Sequence, residues 1–195
     1  MKVIALTGKT GAGKSTVAGH LKKMGCFIID GDKIARQITD KGKPALKELC
    51  DAFGSDIITA DGTLDRKALA QKAFSSPENT ALLNRITHPL IKQEFISLIE
   101  YADQNGYKTV IIDAAAILES DCKNLCEKVI TVHAPLEVRL ERILSRDSIT
   151  TEQALTRIKA QKDDDYYLSQ ADVIINAFSP YNLDDQLDKL KELIR

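Results

Sequence analysis

The chain has 195 residues, 44% of them apolar and 28% charged, with a formal net charge of −1. That length can bury a substantial core, and the composition is ordinary for a globular domain. The near-zero charge supplies no basic field to recruit nucleic acid or an anionic membrane, and no run approaches the roughly 20 apolar residues of a membrane span.

The chain opens on Val3-Ile4-Ala5-Leu6, which reads as a short buried strand over 2–6. Gly8-Lys9-Thr10-Gly11-Ala12-Gly13-Lys14-Ser15-Thr16 follows, with two glycines five residues apart and then Lys and Ser. This is the phosphate-binding loop pattern. Glycines let the backbone curl with its N–H groups inward, making a nest for polyphosphate oxygens. Lys14 adds a point charge for the β- and γ-phosphates, and the Ser15 hydroxyl can hold Mg²⁺. Val17, Leu21 and Met24 then recur at helical spacing, so the loop lies between a strand and a helix N-terminus, which also favours anions. Lys9 and Lys14 break up the start, so no signal peptide is expected and the chain is assigned to the cytoplasm.

Further Val/Ile-rich runs at 27–30, 109–113, 128–132 and 173–176 complete a set of five strands. They lack polar alternation and are separated by helical patterns, which predicts an α/β fold with a parallel sheet covered on both faces. Asp30 and Asp32 stand at the C-terminal end of the second run, where open α/β sheets bind ligands. If the strand persists, D-x-D puts both carboxylates on one face. Asp32 is the favoured base for an attacking hydroxyl, with Asp30 one layer back or linked to metal. The plainer alternative is that the two acids end a strand and cap a helix.

Residues 35–105 read as a helical insertion. Leu46, Leu49 and Phe53 mark one helix, and Leu64 to Phe74 a second. Ser76-Pro77-Glu78 starts a third, which His88-Pro89 interrupts or kinks before a last helix through Ile91, Phe95, Leu98 and Ile99. Asp113 closes its apolar strand in the manner of a Walker-B acid, a candidate for Mg²⁺. The four cysteines Cys26, Cys50, Cys122 and Cys126 lack zinc spacing. They are expected to be reduced, although Cys122 and Cys126 could share a helix face.

Past the fourth strand, Leu136, Leu140, Ile143 and Leu144 form a helical stripe, with Arg139, Arg142 and Arg146 on a neighbouring face. Thr150 and Gln153 fit a capping box for the next helix. The two helices form a lid candidate over 136–165, able to deliver positive charge as a site closes. Residues 183–195 carry Leu183, Leu187, Leu190 and Ile194 at helical spacing and are expected to pack on the sheet.

Taken together, these residues resemble the dephospho-CoA kinase family along nearly the whole chain. The likeness is carried by Leu6-Thr7-Gly8 into Gly13-Lys14-Ser15-Thr16 and by Ile29-Asp30-Gly31-Asp32-Lys33-Ile34-Ala35-Arg36. It continues through Asp61-Gly62-Thr63-Leu64-Asp65-Arg66, His88-Pro89-Leu90-Ile91, Arg142-x-x-x-Arg146-Asp147 and Gln161. Lys9 and Ala12 stand where the family usually has Gly and Ser, and Ala115-Ala116-Ile117-Leu118-Glu119 replaces a Pro-Leu-Leu-x-Glu segment.

The resemblance implies a P-loop NTPase fold, a three-layer α/β/α core with a five-stranded parallel sheet. The core takes 1–34, 106–135 and 166–195, with a helical substrate-binding insertion at 35–105 and a helical lid at 136–165. It implies transfer of the ATP γ-phosphoryl to the ribose 3′-hydroxyl of dephospho-CoA, with Mg²⁺. The catalytic set is Asp32 as base, Lys14 and Arg142. Gly11, Ala12, Gly13, Lys14, Ser15, Thr16, Arg142 and Arg146 would bind nucleotide, Thr7, Asp30, Arg36 and His88 the acceptor, and Ser15 and Asp113 the metal. The expected partner is this small molecule, with no nucleic acid and no membrane, and the chain acts as a monomer or at most a weak oligomer. Two other readings stand beside it: a nucleoside monophosphate or other small-metabolite kinase, and a regulatory ATPase that signals to a partner.

Overall fold

The computed structural model describes residues 1–194. By contact the chain divides into two compact units, one of Met1–Asp30 with the chain from Leu98 onward, the other Gly31–Ser97. The first unit is built on five parallel strands in the order β2-β3-β1-β4-β5. These are β1 (Lys2–Thr7), β2 (Phe27–Asp30), β3 (Thr109–Asp113), β4 (Lys128–His133) and β5 (Val173–Asn176).

The apolar runs make β1, β3 and β4 central, with both faces covered. The edge strands β2 and β5 are only partly buried and Ile174 is exposed, so the expected two-faced cover fails at the sheet edge. On one face Ile4, Leu6, Ile111, Ile130 and Val132 pack with Val17 and Leu21 of α1 (Lys14–Lys23) and with Leu187, Leu190 and Ile194 of α9 (Leu183–Ile194). The C-terminal stripe thus covers the sheet as its spacing predicts. On the opposite face the buried Thr131 donates its hydroxyl to the carbonyl of Tyr167 in α8 (Asp164–Leu168). Burying one such Ile or Leu side chain contributes about 1.5–3 kcal/mol.

Past β4 come α6 (Leu136–Asp147) and α7 (Thr151–Lys159), with Ile143, Ala154 and Ile158 as their shared buried cluster. The capping box forms as expected: Gln153 N–H donates to the Thr150 hydroxyl, and the Thr150 N–H donates to the Gln153 side chain.

The second unit opens with α2 (Gly31–Gln37) and α3 (Pro44–Phe53). It continues with α4 (Arg66–Ala73) and the greater part of α5 (Pro77–Gln104). Its core is Leu49, Phe53, Ile57, Leu69 and Ala73, with Leu82, Leu83 and Ile86 packed against it. Leu49 is fully buried, so truncating it to Ala costs about 2–5 kcal/mol.

Four local expectations are corrected. The D-x-D pair does not alternate along one strand: β2 ends at Asp30 and α2 begins at Gly31, putting Asp32 in a helical first turn. α4 starts two residues later than its apolar pattern, because Leu64 pairs with Ile58 in an antiparallel bridge. Asp65 caps the helix by accepting from the Lys67 and Ala68 N–H groups. α5 runs unbroken through Pro89 over 28 residues. Pro89 is exposed, so the carbonyl it leaves without an intrahelical donor is open to water, and several regular turns on either side carry the helix across. Cys122 lies in a 3₁₀ turn (Asp121–Leu125) and Cys126 follows in extended conformation, so the two share no α-helix face.

Candidate active site

The glycine loop joins β1 to α1, as its flanking patterns predict. Gly8 lies so close to β4 that a Cβ there would meet the Val132 carbonyl oxygen at 2.4 Å. Gly11 has φ +78°, and a Cβ would meet the Arg139 carbonyl oxygen at 2.6 Å. Both positions therefore require glycine for space, and Gly11 for backbone conformation as well. Gly13 is the N-cap of α1 and brings no side chain to cap it, while its carbonyl accepts from the Thr16 N–H at 3.0 Å; a helix N-terminus of this kind favours an anion.

Around the loop the sheet's C-terminal edge gathers acids. Asp113 ends β3, and its register partner on β2 is Asp30. The Lys14 ammonium is ion-paired with Asp113, and both side chains are largely buried. Ser15 and Thr16 follow on α1 with exposed side chains, the hydroxyls open to a ligand. Thr7 is fully buried and donates its hydroxyl to the Ala115 carbonyl at 3.2 Å.

A loop that turns its N–H groups inward turns carbonyls outward, and those need donors. Arg142 supplies them, donating to the Gly11 and Ala12 carbonyls at 3.2 and 3.0 Å and also to the Ala177 carbonyl. Arg142 is therefore at the loop. Arg146 is not beside it in the same way: it is exposed and forks onto both oxygens of the Asp147 carboxylate, one of which, Oδ2, also accepts from Arg157. These two cations hold the Asp147 carboxyl below the usual carboxylate range. The arginines that share a spacing thus have separate surroundings, and Arg139 is buried.

Contacts of the loop that sequence spacing gave no signal for come from the segment after α7. Thr10 N–H donates to the Gln161 side chain at 2.8 Å, and Lys9 is ion-paired with Asp164 at 3.2 Å. Gln161 carries a family resemblance but no spacing links it to Thr10, and nothing in the sequence marks Asp164.

In the other unit, Asp32 and Arg36 are exposed on α2 and His88 is half-buried on α5. The Arg36 carbonyl accepts from Arg66 at 2.9 Å, which ties α2 to the start of α4.

Oxygen donors at Ser15 and Asp113 suit a hard cation. Among the described residues no group of three or more His, Cys, Asp or Glu is arranged to hold a metal, so a divalent ion at this loop would draw further oxygens from phosphate. No described helix is long and apolar enough to cross a membrane. The site as built can cradle a polyphosphate, place positive charge around it and present carboxylates at the sheet edge.

Three comparisons agree with that chemistry. The dephospho-CoA kinase family model matches residues 2–180. A dephospho-CoA kinase of Corynebacterium glutamicum is 42% identical over 173 residues, covering 89% of this chain and 86% of the relative. A dephospho-CoA kinase structure from Campylobacter jejuni superposes with a TM-score of 0.61 at 27% identity, covering 99% of this chain and 97% of that one. A crystal structure of a Thermus thermophilus protein superposes with a TM-score of 0.80 at 26% identity, covering 98% and 95%.

Proposed function

The chain belongs to the dephospho-CoA kinase family, a family of P-loop kinases, and from that premise we propose how its own residues perform the transfer. ATP is the donor and the ribose 3′-hydroxyl of dephospho-CoA the acceptor. The observation that carries the assignment of roles is the loop itself: Gly8 and Gly11 held against Val132 and Arg139, with Lys14 and Asp113 paired at its mouth.

In this reading the loop residues Gly11 through Thr16, with the Lys14 ammonium, bind the phosphates, and Arg142 holds the loop in its curl. Arg146 exchanges Asp147 for phosphate charge when the segment at 136–165 closes. Ser15 and Asp113 hold Mg²⁺, which supplies charge neutralisation between the β- and γ-phosphates. Asp32, two residues beyond the end of β2, accepts the proton of the attacking hydroxyl. Asp30, Arg36 and His88 orient the acceptor, with residues 35–105 as its binding surface and 1–34, 106–135 and 166–195 as the nucleotide core. Thr7 contributes by fixing the Ala115 backbone. The enzyme works in the cytoplasm as a monomer or at most a weak oligomer and takes neither nucleic acid nor membrane as a partner.

Most of the acceleration comes from positioning and charge, so the base is one contributor among several. Asp32→Asn should lower turnover by about 10²–10⁴-fold and leave ATP affinity intact. Near-normal turnover in that variant would remove Asp32 from its role.

A further inference from the structure

Arg139 is the one charged residue among the described residues that is almost fully buried, with 2% of its surface exposed. Its Nε and Nη1 have no hydrogen-bond partner, and its ion pair is a long one, from Nη2 to Asp164 at 3.5 Å. That Asp164 oxygen is shared with Lys9 at 3.2 Å. The Asp164 side chain is 38% exposed, against 3% for Arg139 and 11% for Lys9. Two buried cations therefore face one half-solvated carboxylate. Glu119 is also near, acting on Tyr167, but it is exposed and screened by water.

The placement is specific. The Arg139 backbone is the surface on which Gly11 lies, and Arg139 lines a cavity of about 10 Å³ with Lys9, Ala12, His133, Asp164 and Tyr167. A space that small has room for about one water and none for a substrate group. An arginine stays charged at any working pH, and leaving it under-compensated in a buried place is costly. Nothing in the packing of α6 demands a charge there.

We propose that Arg139 is a positioning residue for the phosphate-binding loop: a fixed positive floor beneath Gly11 and Ala12 whose excess charge is completed by the nucleotide phosphates. Asp164 tunes it, offsetting part of the charge while the loop is empty. The proposal rests on the reading that this loop binds ATP.

The test is calorimetric titration of the full chain with ADP and Mg²⁺, together with steady-state kinetics. Arg139→Gln should weaken ADP by about tenfold and raise the KM for ATP similarly, with kcat at saturating ATP and the KM for dephospho-CoA little changed. Arg139→Lys should restore most of the loss. Asp164→Asn keeps an oxygen for Lys9 and Arg139 but removes the negative charge, so it should tighten ADP by about threefold. A purely structural role predicts the opposite sign for that variant. If Arg139→Gln does not fold, the direction of the Asp164→Asn change decides alone. Weaker binding in Asp164→Asn, or unchanged binding in both variants, overturns the proposal and leaves the loop reading standing. Absence of ADP binding by the unaltered chain overturns both.

Discussion

Lys14 and Asp113 form an ion pair that joins the first residue of α1 to the last residue of β3. It fixes the lysine at the mouth of the loop, where it can turn to a phosphate without crossing the site. Lys14→Met should reduce kcat by about 10²–10³-fold, the usual cost of losing one well-placed charge donor. Asp113→Asn should shift the Mg²⁺ concentration for half-maximal activity upward by several-fold. A Mg²⁺ titration of that variant that overlays the parent curve would exclude Asp113 from the metal site.

Arg142 offers its guanidinium to three carbonyls, a forked geometry that an ammonium cannot reproduce. Arg142→Lys should therefore behave nearly as badly as Arg142→Ala, with a raised KM for ATP in both. Both should also lose about 1–3 kcal/mol of stability, because loop carbonyls are left without donors. Chemical denaturation and initial-rate kinetics on the two variants check this.

Asp172 accepts from Lys128 at 2.8 Å and from the Val129 N–H at 2.8 Å, tying the turn before β5 to the start of β4. These partners hold its carboxyl below the usual range, Lys128 contributing most. A carboxyl whose pKa is lower in the folded state stabilises above its unfolded pKa of about 3.9 and loses that contribution as pH falls through the folded value. Asp172→Asn should thus lower the melting temperature at pH 7 and make little difference near pH 2. The site is partly exposed, so the effect stays below about 1 kcal/mol.

The inner strands were legible because buried parallel strands are continuous Val/Ile runs, and the loop because its glycines are demanded by the Val132 and Arg139 backbones. What stayed hidden depended on tertiary context. Pro89 signals a break by local rules, yet α5 continues through it because the position faces water. The change from strand to helix between Asp30 and Asp32 has no periodic signal in so short a segment. Arg139, Arg142 and Arg146 share a helical spacing, but burial, loop carbonyls and Asp147 give them three environments. Thr10 and Gln161 are 151 residues apart, a pairing no local pattern encodes.

The cysteines offer a check on the core. Burial pushes the Cys26 thiol up to about 11 and the Cys126 thiol up to about 12, so neither yields much thiolate at pH 8. Cys122 is 2% exposed. Iodoacetamide at pH 8 should modify Cys50 first, read by peptide mass spectrometry. Earlier labelling of Cys26 would place it outside the packed face of the sheet.

This chain should phosphorylate dephospho-CoA and no simpler nucleotide. The direct measurement is mass spectrometry of the products after incubation with ATP and Mg²⁺, with dephospho-CoA, AMP and adenosine offered in parallel. The expected result is one added phosphate on dephospho-CoA alone, absent with Lys14→Ala. Phosphorylation of AMP or adenosine with dephospho-CoA untouched would contradict the account.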